Sequence, residues 1–373
     1  MSFDIQALIE GVAGQSLREY QRRASAAVGS LAASAGLDVS HEVQRFDLIM
    51  EQLRAGSSES KPSEGLGGLQ AAVIEQMPNV VELVLTHADG DFRGFGYLSE
   101  GKPRNSLPET LRFQLENGLR AYLSHGGPMS DAGTLADVFG LLFPNLDSLA
   151  GHSAMAQAML LGFVPRGQQV GMKVYFNTRI LGGVSHRERV VRCLDYLGLG
   201  GASHYDALYG GIEGLSFVGV GLDLDGSPGH RAKLYVRMPR ERVTHSLPAL
   251  LRVMGLSGTD EAGHEAQAFL HATQCSQTSD EAELAIGLNQ DGFQTLKLTT
   301  FFSDAERTHE PVDLVGTYLA HHDYHTGPYE QAVKTLTEGA SEPNLKKQPV
   351  HGVGIEYPVG DRPKVNVYLT PLF

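Results

Sequence analysis

Cysteine is nearly missing from this chain of 373 residues: Cys193 and Cys275 are the only two. That is too few for a disulfide framework or a four-cysteine zinc site. Excess positive charge is missing as well. Against 43 acidic side chains stand 30 lysines and arginines, a net charge of −13 with histidine neutral. Such a balance argues against a protein whose main partner is nucleic acid or an anionic membrane. No apolar run approaches the roughly 18 residues of a membrane helix. The opening MSFDIQALIEGVAGQSLREY has no cationic start before an apolar run. No secretory leader is therefore expected, and the expected location is the cytoplasm. No Gly-Lys-Ser/Thr phosphate loop and no aspartate-rich DDxxD run occurs. The glycine pairs Gly65-Leu66-Gly67-Gly68 and Gly219-Val220-Gly221 lack a dinucleotide fingerprint, so any phosphate must be gripped some other way.

What is present is a repeating pattern. Residues 1–55 read as helical, with Phe46, Ile49, Met50 and Leu53 at helical spacing. The stretch GSSESKPSEGLGG (56–68) reads as a surface loop. From residue 80 on, two strand-like runs alternate with two helix-like ones. The strand pairs are 80–98, then 156–164 with 172–178, 216–224 with 231–238, 282–290 with 293–302, and 350–358 with 364–372. Helices are expected at 108–124 and 131–142, at 185–198 and 203–209, at 240–254 and 259–272, and at 311–321 and 328–338. Counting the N-terminal helices, this makes five helix-helix-strand-strand units, and repetition at this scale displaces a multi-domain reading. We expect one domain over 1–373, with N-terminal helices and loop in 1–79 and the strand-pair repeats in 80–373. Strands joined by short turns should be antiparallel, and ten of them would remove their edges by closing into a barrel.

The second strand of every pair carries a cation followed at alternate positions by polar or aromatic residues. The series is Arg93/Phe95/Tyr97, Lys173/Tyr175/Asn177, Arg231/Lys233/Tyr235, Lys297/Thr299/Phe301 and Lys364/Asn366/Tyr368. Alternate residues share a strand face, and those between them are apolar, as in Val174, Phe176, Leu234, Val236, Val365 and Val367. With helices on the apolar side, Arg93, Lys173, Arg231, Lys233, Lys297 and Lys364 would converge in the lumen. Like charges gathered there need an anion, and a diphosphate would serve. Tyrosine faces among them would attract a positive centre, by about 0.5–2 kcal/mol each. The alternative is a sheet whose polar face meets water; five recurrences at the corresponding strand favour the shared lumen.

Glu82 reads as the one acid among these strands. The Asp89-Gly90 turn suits a two-residue hairpin. Pairing Ala88 with Asp91 would put Thr86 opposite Arg93 and Glu82 opposite Tyr97. A carboxylate in such a chamber is a candidate general base or, equally, a charge balancer for Arg93. Two other motifs carry less. His321-His322-Asp323-Tyr324-His325 is a contiguous run that suits a solvated turn better than a metal site. Asp223-Leu224-Asp225-Gly226 opens like a calcium loop, but Leu234 stands where its twelfth ligand belongs.

In MKVYFNT, RAKLYVRM, VNVYLTPLF and VELVLTHADGDFR the chain resembles the soluble aromatic prenyltransferases with the ABBA barrel, in particular the dimethylallyltryptophan synthase branch. The likeness runs from about residue 80 to the C-terminus. It implies an α+β fold of five ααββ repeats, a ten-stranded antiparallel barrel surrounded by helices. It implies transfer of a dimethylallyl group from its diphosphate to the indole of L-tryptophan or a tryptophan-derived metabolite, without a metal or other cofactor. Small-molecule substrates, rather than nucleic acid or a membrane, would be partners. Carried over, Glu82 takes the indole proton, Arg93, Lys173, Arg231 and Lys233 bind the diphosphate, and Tyr175, Tyr235 and Tyr368 shield the allyl cation. Lys297 stands where fungal members usually have tyrosine, adding to the phosphate grip. The arginine that holds the amino-acid carboxylate in fungal tryptophan enzymes has no counterpart in SFVGVGL (216–222). Attachment at N1 is the expectation, since a base beside the N–H would help most there. The same barrel with a phenolic or polyketide acceptor, or a non-catalytic barrel binding a small molecule, are the rival readings.

Overall fold

Alternating apolar residues along ten strands become the outer wall of a closed barrel in the computed structural model. The described residues are 5–54, 81–99, 106–152, 158–181, 183–227, 229–256, 259–276, 278–302, 310–338, 349–357 and 364–370. The strands are β1 Val81–Ala88, β2 Asp91–Ser99, β3 Met159–Arg166, β4 Gln169–Asn177, β5 Ser216–Leu224, β6 Arg231–Pro239, β7 Thr278–Asn289, β8 Gly292–Phe302, β9 Val350–Tyr357 and β10 Lys364–Leu369. Each pairs antiparallel with its neighbour in sequence, and β1 pairs with β10 to close the ring. Closure leaves no strand edge to aggregate. The predicted loop at 56–68 lies outside the described residues.

Helices fall where the periodicity placed them, in pairs between hairpins. They span Ile5–Ser34 and Val39–Arg54, Leu107–Ser124 and Met129–Leu142, Gly183–Tyr196 and Gly201–Gly211, Arg240–Val253 and Thr259–Ala272, and Glu310–His321 and Gly327–Thr337. Local chemistry sets their ends. Ser106, in extended backbone, accepts from the Glu109 N–H at 3.4 Å, and Pro108 follows in the first turn. The helix 5–34 contacts both 39–54 and 327–337, so the helical layer joins its first and last pairs as the barrel does.

Between the layers lies the core. Leu83, Leu85, Val174, Leu234, Leu296, Leu298, Ile355, Val365 and Val367 are all fully buried. Each such aliphatic side chain contributes about 1.5–3 kcal/mol over exposure. Among the described residues no helix is long and apolar enough to cross a membrane.

One register differs from the expectation. Ala88 does pair with Asp91 around a turn in which Asp89 (φ 52°) and Gly90 (φ 83°) both take positive φ, as a type I′ hairpin needs. A bulge then intervenes between Thr86 and His87, so Thr86 faces Gly94 and Glu82 faces Leu98. Arg93 is the extra residue. Phe95 and Tyr97 consequently point outward into the core, where Tyr97 meets Phe46 edge-on at 5.0 Å and stacks on Phe163 at 5.9 Å. The expected lumenal trio of the first hairpin is thus corrected: glycines 94 and 96 take the inward positions.

Candidate active site

Large and small side chains alternate around the lumen by strand. The second strand of each later hairpin supplies the bulk: Lys173 and Tyr175 on β4, Lys233, Tyr235 and Arg237 on β6, Lys297 and Phe301 on β8, Lys364, Asn366 and Tyr368 on β10. The facing first strands supply glycines. Gly221 pairs with Tyr175 on one side and Lys233 on the other. A Cβ there would lie 2.9 Å from the Tyr235 ring and 3.5 Å from that of Tyr175. Gly221, in a glycine pair that matched no phosphate loop, therefore clears space for two tyrosines, while a Cβ on Gly219 would strike the Phe176 carbonyl.

The lumen has two halves. A cavity of about 330 Å³ is lined by Lys173, Lys233, Lys297, Lys364, Arg93 and Asn366. A second, of about 230 Å³, is lined by Glu82, Tyr235, Arg237, Glu283, Phe301 and His351. Leu98, Tyr175, Lys297 and Tyr368 line both, so they form the partition. Four of the predicted cations thus come together around one space. Of the two predicted arginines only Arg93 is among its lining residues. Arg93 lines the cavity, but its guanidinium donates to the Asp89 carboxylate at 3.1 Å and to the Ala88 carbonyl at 3.2 Å. Arg231 is half exposed and paired with Asp225, which Arg166 also reaches at 3.0 Å.

The three predicted tyrosines meet at the partition. Tyr175 and Tyr235 pack edge to face with ring centres 5.4 Å apart. The Lys297 ammonium lies 5.0 Å from the centre of the Tyr368 ring and donates to its hydroxyl. Burial pushes the Tyr175 hydroxyl up to about 12 and those of Tyr235 and Tyr368 well above their ordinary range. All three present neutral rings at physiological pH.

Glu82 has acid company, contrary to the expectation that it stood alone. Asp223 lies 3.9 Å from Lys173, and Glu356 lies 3.5 Å from Lys364. Burial alone would raise the Glu356 carboxyl, but Lys233, Lys364, Lys297 and Lys173 outweigh it and hold it at about 2. Asp223 is likewise held down, against its burial, by Lys173, Lys233, Arg231 and Lys364. In the other half Glu283 pairs with Arg237 at 3.3 Å, and burial pushes its carboxyl up against that pairing. Asn366 accepts from the Thr86 hydroxyl at 3.1 Å, while its buried Nδ2 has no hydrogen-bond partner among the described residues. An unpaired amide donor in a cationic cavity is a place for a ligand oxygen.

No family model matches the chain, and no curated protein does either. Solved structures do. The apo form of prenyltransferase PriB superposes with a TM-score of 0.69 at 18% identity, covering 94% of this chain and 96% of that one. The 5-dimethylallyltryptophan synthase from Streptomyces coelicolor gives 0.67 at 19% identity, covering 94% and 97%. The 6-dimethylallyltryptophan synthase from Micromonospora olivasterospora, solved in complex with DMASPP and Trp, gives 0.64 at 17%, covering 94% and 96%. The fold is the ABBA prenyltransferase barrel.

Within this ABBA barrel, the residues that sequence reasoning missed had a signal. Gly219-Val220-Gly221-Leu222-Asp223 and Gly352-Val353-Gly354-Ile355-Glu356 are the same pattern, on β5 and β9. Two alternating glycines open the lumen, and the acid that follows on the same face enters it. The histidine run is a helix end and turn: His321 closes its helix, Asp323 takes φ 56° and Tyr324 is buried. Among the described residues no three potential metal ligands gather.

Proposed function

We propose that the protein transfers a dimethylallyl group from dimethylallyl diphosphate to the indole of L-tryptophan or a tryptophan-derived metabolite. The observation that carries this reading is the divided lumen: four lysines around one side, Glu82, Glu283 and aromatic walls on the other, Tyr175 and Tyr368 between them and Tyr235 packed on Tyr175. The S. coelicolor and M. olivasterospora neighbours supply the substrate class. In the cationic half Lys173, Lys233, Lys297 and Lys364 grip the diphosphate, with Arg93 and Arg231 in support and the Asn366 amide donating to an oxygen. As the allylic C–O bond breaks, its electron pair leaves with the diphosphate. Preplaced cations stabilise that growing charge, usually the largest catalytic contribution. The lysines supply this charge without a metal in this reading.

The allyl cation then lies against Tyr175, Tyr235 and Tyr368, whose faces stabilise it and keep water off. Beyond them the aromatic half holds the indole at bonding distance, replacing encounter with orientation. The new bond forms from the indole, at N1 by preference, and the displaced proton goes to Glu82. Lys297 works on both sides of the partition: its ammonium faces the diphosphate and donates to the Tyr368 hydroxyl. The test is a mass-spectrometric assay of the purified protein with dimethylallyl diphosphate and L-tryptophan in EDTA. A gain of one C5H8 unit on the indole fragment is expected. Diphosphate consumption to dimethylallyl alcohol alone would move the acceptor to a larger indole or a phenol; no turnover with any acceptor would leave a binding barrel.

A further inference from the structure

Asp223 and Glu356 are misplaced for a site that only grips anions. Each lies on the first strand of its hairpin, flanked on both sides by a basic residue in register. Asp223 on β5 faces Lys173 on β4 and Arg231 on β6. Glu356 on β9 faces Lys297 on β8 and Lys364 on β10. The Lys297-Glu356-Lys364 row lines the cationic half, the other row adjoins it through Lys173, and both acids follow the same glycine-spaced pattern. The Glu356 residue is 9% exposed and the Asp223 side chain 19%, so little water dilutes their fields. A carboxylate a few ångströms from a bound diphosphate repels it. A site selected for affinity alone would carry amides at these two positions.

We propose that Asp223 and Glu356 are built-in counter-anions of the diphosphate site. They hold the lysines charged and in place before diphosphate binds. They compete with it once it has bound, and so speed the departure of inorganic diphosphate after transfer. This rests on the diphosphate reading of the cationic half given above. Four lysines gathered without acids would repel one another and lose protons; burial and the neighbouring lysines already pull the Lys364 ammonium down, with Glu356 opposing them. The acids therefore stabilise the ligand-free barrel at the expense of product affinity.

The test uses Asp223→Asn and Glu356→Gln in the full chain, with inorganic diphosphate as probe. Calorimetric titration should show diphosphate binding roughly ten- to hundredfold tighter in each variant than in the wild type. Thermal unfolding should begin earlier in the variants alone and recover with saturating diphosphate, since a ligand that binds only the folded state stabilises it. Unchanged or weaker binding in the variants, with the wild type binding normally, would overturn the counter-anion role and leave the diphosphate site standing. Absence of binding in the wild type and both variants would instead remove the diphosphate reading, and this role with it. A variant too unstable to titrate is replaced by Asp223→Ser or Glu356→Thr, for which the same sign is expected.

Discussion

Lys297 and Tyr368 line both halves of the lumen, yet the halves differ in how their charges are arranged. On the side of Lys173 and Lys364, cations outnumber the two carboxylates set among them, and the surplus is positive. On the side of Phe301 and His351, Arg237 is matched by Glu283, and Glu82 is the further acid lining that cavity. In the proposed reaction the first half holds the leaving anion and the second receives the proton. The difference shows how a uniform repeat yields two environments: the cations sit at one level of the strands, while Arg237 and Phe301, four residues further along, and the first-strand acids Glu82 and Glu283 sit at the other.

Apart from removal of the base itself, the largest expected effect comes from erasing the surplus. Lys233→Ala combined with Lys297→Ala should slow allyl diphosphate consumption by about 10²–10³-fold. Single-turnover quench measurements would show it, and unaltered ionisation would place the positive surplus elsewhere. A second prediction contrasts the lumen with the barrel's outer wall. His87, fully buried beside Phe92 and Tyr324, has neither ring nitrogen paired among the described residues. Burial, with His325 adding to it, lowers its pKa to about 4. The folded state therefore resists the proton that the unfolded chain accepts at about 6.5, so stability is full above that pH and falls as pH drops toward 4. The loss reaches about 3 kcal/mol. His87→Leu should flatten urea-unfolding stability between pH 6.5 and 4.5; an unchanged slope would assign the acid sensitivity to other groups.

Smaller effects sharpen the partition itself. Tyr235→Leu should raise the share of allyl cation lost as dimethylallyl alcohol by about two- to thirtyfold, from the 0.5–2 kcal/mol of one ring face. A constant alcohol-to-product ratio would show that this ring does not face the cation. The smallest belongs to Asn366→Leu, which removes the unpaired amide. Diphosphate affinity should fall by about twofold to tenfold, the net worth of one typical hydrogen bond. At the same time the ligand-free protein should melt at the same temperature or higher. Lower stability with unchanged affinity would make Asn366 a structural residue.

Much of this was legible in the sequence because alternation reports directly on a sheet with two different faces. Val174 and Phe176 against Lys173 and Tyr175 already separate core from lumen. The first hairpin was misread because its register depends on a bulge closed by Gly94 at φ 147°, a conformation that strand periodicity does not register. That one extra residue sent Tyr97 outward. The lumenal acids escaped for a different reason. Attention to the cation-bearing strands leaves their glycine-rich partners unread, although Asp223 and Glu356 stand in matching positions there. The pairing of Arg237 with Glu283 needs the register of β6 on β7, which only the folded barrel supplies.

The division of labour between the halves is tested most directly by Glu82→Gln. Dimethylallyl diphosphate and L-tryptophan would be supplied together, with prenylated indole and dimethylallyl alcohol quantified from the same reaction. The account predicts that prenylated product falls by about 10²–10⁴-fold, while diphosphate binding persists and alcohol still forms. Equal retention of product in variant and wild type, or loss of ionisation along with product, would contradict it.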